Sequence, residues 1–190
     1  MKKRIIVLSA VSCLTALCTL TAVVAIKSSG AKLDVVRGEP MLRTLTLNEA
    51  PTVVDGKFSV RTVSGTTINF TCSNFTPSGT FGSLKGEGNI DLKYDDADND
   101  IMFSSLYSVT VNYDGYFYFD YRYYDPVQRR NVSTGNTGSF TSGVEVKASE
   151  HQVEVDDGGG SSHNEVPNHF QIYAVSGTHT ISSIVIKYTC

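Results

Sequence analysis

Beyond residue 31 the sequence consists of short segments in which apolar and polar residues alternate, and glycine-rich or other turn residues separate them. Alternation of this kind places the apolar side chains on one face of a β-strand. No run of helix length with a helical period follows residue 31. An all-β fold, either an antiparallel β-sandwich or a barrel, is therefore expected. The predicted strands are 43–47, 57–63, 66–72, one within 79–88, 107–113, 116–124, 144–146, 153–155, 170–175 and 181–188. The glycine- and serine-rich stretch 156–168 is predicted to be a flexible loop.

The first 31 residues have the pattern of an export segment. Lys2, Lys3 and Arg4 precede an uncharged run of 22 residues, Ile5–Ile26. This run exceeds a usual signal core of about 7–15 residues and reaches the ~20 residues that span a bilayer. It is therefore either a cleaved signal peptide or a retained helical anchor, which would tether the protein to a membrane through residues 5–26. The predicted organisation is a signal or anchor (1–31), a linker (32–42) and a β-sandwich domain (43–190), with a secreted or cell-surface, extracytoplasmic location.

The charge of the chain argues against one class of partner. Four of its 16 basic residues and none of its 19 acidic residues lie in the first 31 positions, so the remainder carries 12 basic and 19 acidic residues and a net charge of -7. Phosphate backbones repel a surface that acidic. We therefore expect no binding to nucleic acid.

The cysteines allow two interpretations. Cys13 and Cys18 lie in the export segment, where neither has the leucine-and-small-residue context of a lipid-attachment site. Cys72 and Cys190 lie in the domain. In an oxidising compartment two cysteines suggest one disulfide, here between an early strand and the end of the last predicted strand. The alternative is two unpaired thiols.

Two segments resemble a known group of proteins. The stretch Leu45–Val53 is similar to the opening of small secreted β-sandwich proteins of Gram-positive bacteria, and Thr180–Tyr188 is similar to their last strand. Those proteins resemble jelly-roll carbohydrate-binding modules of the galactose-binding-like type. The resemblance implies a jelly-roll-like sandwich across most of residues 43–190, and it implies a carbohydrate ligand.

The aromatic residues are concentrated in one region. Seven of the ten tyrosines lie between Tyr107 and Tyr124. We expect Phe117, Phe119 and Tyr121 to be core residues, because the opposite face of their strand carries charges that are costly to bury. That opposite face is predicted to be exposed and to bind a ligand, with rings that stack on sugars and charged groups that bond their hydroxyls. Its residues are Tyr116, Tyr118, Asp120, Arg122 and Tyr124. The plainer alternative is a set of tyrosines that only pair across strands.

The turn before this strand affects the prediction. Asp114-Gly115 is a strong hairpin signal between the strands 107–113 and 116–124. A two-residue turn would place Val109 and Val111 on the same face as the charged residues. We therefore predict a three-residue loop with a bulge, which reverses that parity.

An acidic run is the candidate metal site. Calcium takes six to eight oxygen ligands, which a loop of carboxylates supplies. The alternative is a solvated acidic loop, and no other cofactor is expected. The candidate ligands are Asp95, Asp96, Asp98 and Asp100.

No nucleophile motif accompanies a base in this sequence. Glu145 and Glu154 are the candidates for a pair of glycosidase carboxylates. The leading prediction is thus an exported, non-catalytic binding module for carbohydrate or cell-envelope glycan. The alternatives are a structural or adhesive surface protein without a small-molecule site and a small glycan hydrolase.

Overall fold

The structure is a computed structural model that describes residues 41–63, 65, 67–92, 105–125, 127–133 and 139–189. The predicted export segment and nearly all of the predicted linker lie outside these residues. No helix within the described ranges is long and apolar enough to cross a membrane. The strands are β1 (Leu42–Leu47), β2 (Lys57–Arg61), β3 (Thr67–Ser78), β4 (Phe81–Asp91), β5 (Ser105–Asp114), β6 (Tyr118–Asp125), β7 (Arg130–Ser133), β8 (Glu145–Lys147), β9 (Val153–Gly158), β10 (Ser161–Glu165), β11 (His169–Tyr173) and β12 (Thr178–Thr189); a short 3-10 helix spans Ala148–Glu150.

The fold is all-β, as predicted, and its main element is a large, curled antiparallel sheet. One path through it runs β7-β6-β11-β4-β12-β5-β8. β3 pairs along one edge of β4 and carries β2 on its other edge. β11 and then β12 pair along the opposite edge of β4. β12 also pairs with β5 on one side and with β1 on the other.

The apolar side chains of the alternating strands form one buried cluster. Within it, the Phe58 ring stacks on Phe70 at 4.9 Å. The Phe119 ring stacks on Phe170 at 5.5 Å. Burial of such side chains is the main favourable contribution to folding, about 1.5–3 kcal/mol for a large apolar residue. The cluster fixes which face of each strand is turned outward.

The predicted hairpin at Asp114-Gly115 is wrong. β5 pairs with β12 and β8, whereas β6 pairs with β11 and β7. Both edges of β5 are thus occupied by other strands, and the bulge predicted to set the register of a β5–β6 hairpin has no role. Val109 and Val111 are nevertheless buried in the same cluster as Phe119.

The flexible loop predicted at 156–168 is also wrong for most of its length. β9 extends to Gly158 and pairs with β10 in a separate two-stranded hairpin. Gly158, Gly159 and Gly160 form its turn with φ values of 82°, 67° and 89°. Most side chains of β10 are exposed and polar, so alternation of apolar residues could not identify the strand.

Candidate functional site

A groove with a volume of about 400 Å³ lies on the outer face of the sheet, where β4, β6 and β11 run side by side. This volume falls in the range of ligand pockets, roughly 300–1,000 Å³. The groove is lined by Glu87, Gly88, Asn89, Asp120, Arg122, Ser133, Gln171, Tyr173, Ala174 and Val175.

The register of the strands brings the polar side chains of the groove together. Gln171 of β11 lies opposite Asp120 of β6 on one side and opposite Asp91 of β4 on the other. Arg122 of β6 lies opposite Ser133 of β7. Because side chains alternate between faces along a strand, these residues share the outer face.

Arg122 is the centre of a hydrogen-bonded network. Its guanidinium donates from Nε to Asp120 Oδ2 (3.0 Å), from Nη1 to Asp91 Oδ2 (3.5 Å) and from Nη2 to Gln171 Oε1. The Ser133 hydroxyl lies 2.8 Å and 2.7 Å from the two carboxylate oxygens of Asp120 and donates to them. The Arg122 side chain is only 24% exposed. These three charge-assisted hydrogen bonds hold the guanidinium in a defined position.

His169 lies beside this network on β11, opposite Arg122, and is buried. Burial, assisted by the charge of Arg122, lowers the pKa of His169 to about 3. Its Nδ1 lies 3.0 Å from Asn168 Oδ1 and donates to it in the neutral ring. The same amide oxygen accepts the Tyr124 N–H at 2.9 Å. The imidazole is therefore a neutral, fixed part of the scaffold at neutral pH.

A pair of tyrosines adjoins the network. The rings of Tyr118 and Tyr173 are stacked, with centroids 5.3 Å apart and an interplanar angle of 17°. Tyr116 meets Tyr118 edge-on at 5.3 Å. Hydrogen bonds of the Tyr116 phenol with Ser139 and Tyr118 lower the pKa of Tyr116. Tyr173 lines the groove, and partial burial raises the pKa of its phenol.

The wall of the groove is formed where β4 lies beside the connection between β11 and β12, and two backbone hydrogen bonds join them there. The Gly86 N–H donates to Gly177 O at 2.8 Å, and the Ala174 N–H donates to Gly88 O at 2.8 Å. Gly86 and Gly177 have φ values of 62° and 76°, which favour glycine. Between these two hydrogen bonds the regular pairing of the strands is interrupted, and the groove is bounded there.

The predicted division of β6 into two faces is correct for the core. Phe117, Phe119 and Tyr121 are buried. On the other face, Tyr116 is 50% exposed, and Tyr118 and Arg122 are half-buried.

Two residues of the predicted platform are not exposed as expected. Asp120 and Tyr124 are each 5% exposed. Asp120 can be buried because Arg122 and Ser133 satisfy its oxygens. Tyr124 lies near the end of β6, opposite Asn131 of β7. Of the predicted platform, Asp120 and Arg122 line the groove, Tyr116 and Tyr118 flank it, and Tyr124 does not reach it.

Sequence reasoning missed the residues that complete the groove, above all Gln171 and Tyr173. The strand 170–175 was predicted, and its alternation carried a usable signal. Phe170 and Ile172 mark its buried face, which leaves His169, Gln171 and Tyr173 for the opposite face. What the sequence did not show is that this strand lies between β6 and β4.

The predicted calcium ligands Asp95, Asp96, Asp98 and Asp100 lie outside the described residues. Within the described part of the chain, no group of three or more histidine, cysteine, aspartate or glutamate side chains is placed to hold a metal ion.

The predicted disulfide is not found. Cys72 is a half-buried free thiol, and burial raises its pKa. Cys190 lies outside the described residues.

The two glutamates considered for hydrolysis lie on different strands, β8 and β9, and neither lines the groove. Glu145 accepts from Ser108 Oγ (2.6 Å) and Lys187 Nζ (2.9 Å), and these bonds lower its pKa. Glu154 accepts a hydrogen bond from the Ser162 hydroxyl.

The chain matches no protein-family model, and neither curated proteins nor solved structures give a match. The functional argument therefore rests on the groove and on the residues that line it.

Proposed function

We propose that the protein is an exported, non-catalytic binding module and that the groove beside Arg122 and Tyr173 binds a carbohydrate or cell-envelope glycan. The observation that carries the proposal is the combination of a fixed polar network with the ring of Tyr173, which is stacked on Tyr118, in one groove of about 400 Å³. A sugar presents apolar C–H faces and a rim of hydroxyls. Aromatic rings pack against such faces, and amides and charged groups bond such hydroxyls.

The network is suited to binding because its members are held before any ligand arrives. Three acceptors fix Arg122, and Asp120 is fixed in turn by Ser133. Side chains that are already ordered lose little conformational entropy when a ligand binds. Asn89 and Gln171 add amide groups that can donate and accept at the groove.

The same network supports binding over hydrolysis. A glycoside hydrolase needs two carboxyl groups, one of which holds a proton for the leaving group. Asp91 and Asp120 both accept hydrogen bonds from Arg122, so both carboxylates are engaged with the guanidinium and neither is positioned to give a proton to a leaving group. An adhesive or structural protein, the other alternative, needs no groove of this kind.

The cellular setting is part of the proposal. The export segment of residues 1–31 supports a secreted or cell-surface location, with residues 5–26 as a membrane tether if the segment is retained. The curled antiparallel sheet is compatible with a jelly-roll-like sandwich of the galactose-binding-like type, which the sequence resemblance implies. We therefore propose that this protein is a carbohydrate-binding module of that type.

A glycan-array screen of the purified protein and two variants tests the proposal. Tyr173→Ala removes a ring that lines the groove, and Tyr107→Ala removes an exposed tyrosine of β5 that does not line it. We expect the wild type and Tyr107→Ala to bind the same glycans. Tyr173→Ala should weaken binding by about 1–3 kcal/mol, by analogy with the loss of one stacked ring in nucleic-acid binding. Absence of glycan binding by the wild type, or equal losses in both variants, would refute the proposal.

A further inference from the structure

Glu87 differs from the other charged residues of the groove. Asp120 and Arg122 are bonded to each other, whereas Glu87 makes no hydrogen bond or ion pair with any other described residue. It is exposed and lies on the irregular part of β4, between Gly86 and Gly88, where the wall of the groove begins. Its carboxylate can therefore bind a ligand without breaking a contact within the protein.

The charges around the groove are predominantly negative. Glu87, Asp120 and Arg122 line the groove and give it a formal net charge of -1. Asp91, which is bonded to Arg122, adds a further carboxylate beside the groove. His169 adds no positive charge at neutral pH, because burial lowers its pKa to about 3. The domain as a whole is also acidic. A cationic ligand is thus attracted to the groove, and an anionic one is repelled.

We propose that the groove selects glycans with a free ammonium group, such as 2-amino-2-deoxy sugars, and that Glu87 binds that ammonium. This inference rests on the proposed function, since it specifies the glycan for the same groove. An ammonium offers three N–H donors and a positive charge, whereas the N-acetylated form of the same sugar offers one neutral amide N–H. Glycans rich in phosphate or uronate are the class that the groove disfavours.

The preference for the amine is expected to be modest and sensitive to salt. Glu87 is exposed, and exposed ion pairs contribute up to about 1 kcal/mol, which corresponds to a preference of about fivefold. Salt screens such pairs over a distance of roughly 10 Å at 0.1 M ionic strength. The preference should therefore shrink as salt is added, while binding that depends on Tyr173 and on uncharged hydroxyls should not.

Titration of the purified protein with two oligosaccharides of equal length tests the inference. One is an N-acetylglucosamine oligomer and the other is its de-N-acetylated counterpart. Both are measured at a pH below the pKa of the sugar amine, so that the amine is charged. We expect the wild type to bind the amine form about fivefold more tightly at low salt. In Glu87→Gln the ratio should fall to about one. Glu49→Gln, which removes an exposed carboxylate outside the groove, should behave as the wild type.

The outcomes separate this inference from the proposed function. If Tyr173→Ala loses glycan binding but the wild type shows no preference for the amine form, the inference is wrong and the groove remains a glycan site. The same holds if the preference persists in Glu87→Gln. If neither oligomer, nor any glycan on the array, binds in a way that Tyr173→Ala weakens, both proposals are wrong.

Discussion

Phe119 and Tyr118 are neighbours on β6 that face opposite sides of the sheet, and replacing each with alanine tests the orientation of the strand. Phe119 is 3% exposed. Its ring packs on Phe170 at 5.5 Å, on Tyr121 at 4.8 Å and on Phe140 at 5.5 Å. Alanine would leave these rings around a cavity, because a packed core relaxes only partly.

The expected loss in Phe119→Ala is about 3–5 kcal/mol in the free energy of unfolding. Tyr118 is half-buried, and its ring contacts the rings of Tyr173 and Tyr116. Aromatic pairs of this kind contribute about 0.5–1.5 kcal/mol each, and solvent already reaches part of the ring, so Tyr118→Ala should cost about 1–2 kcal/mol. For a domain of about 150 residues, a loss of 4 kcal/mol lowers the melting temperature by about 8–16 °C.

Urea denaturation followed by far-ultraviolet circular dichroism measures both losses under the same conditions. The slope of the unfolding free energy against urea should be the same for the three proteins, so that the midpoints report stability alone. A loss in Tyr118→Ala equal to or greater than that in Phe119→Ala would refute the assigned faces of β6. The groove on its outer face would then lose its structural basis.

Three further predictions concern the scaffold. Gly115→Ala should destabilise the fold by about 2 kcal/mol or more in thermal unfolding. The reason is that Gly115 has a φ of 119° and that a Cβ there would lie 2.1 Å from His179 Nδ1. The control Gly158→Ala should cost less, because Gly158 has a φ of 82° but open space around it. Burial keeps His169 neutral with a pKa of about 3, whereas an unfolded histidine has a pKa of about 6.5. The unfolded state therefore binds more protons than the folded state below pH 6.5, and the wild type loses stability as the pH falls. Between pH 7 and pH 5, the wild type should lose about 2 kcal/mol more unfolding free energy than His169→Gln does, as measured by urea denaturation. Burial raises the pKa of Cys72, so iodoacetamide should alkylate it more slowly than a free cysteine at pH 8, as measured by mass spectrometry.

Each of these predictions has a clear contrary result. Equal melting temperatures for Gly115→Ala and Gly158→Ala would contradict the contact with His179. A pH dependence that does not change in His169→Gln would show that this histidine is not buried in its neutral form. Alkylation of Cys72 at the rate of free cysteine would show that its thiol is exposed to solvent.

Alternation along single strands was the information that the sequence carried well. It identified Phe117, Phe119 and Tyr121 as core residues, because the choice between the two faces of a strand depends on the residues of that strand alone. For the same reason it placed Asp120 and Arg122 on the face that lines the groove. Strands without alternation, such as β10, could not be recognised in this way.

Pairing between distant strands was the information that the sequence did not carry. Asp114-Gly115 has the composition of a hairpin turn, yet β12 and β8 occupy the edges of β5. The same limit applies to the groove, since Gln171 meets Arg122 only because β11 pairs with β6. Such partners depend on packing over the whole domain, which overrides a local turn signal.

The position of β12 in the sheet has a consequence for the time at which the protein can fold. β12 follows every other strand of the sheet in chain order, and it pairs with β1, β4 and β5. While the ribosome is still synthesising the earlier strands, β1 lacks the one strand with which it pairs in the described part of the chain, and β5 lacks its longest partner. Contacts between segments so distant in sequence form slowly, after the entropy of closing long loops has been overcome. The nascent chain therefore keeps an incomplete sheet until residue 189 has emerged, and it is during synthesis that its unpaired strand edges are most open to aggregation.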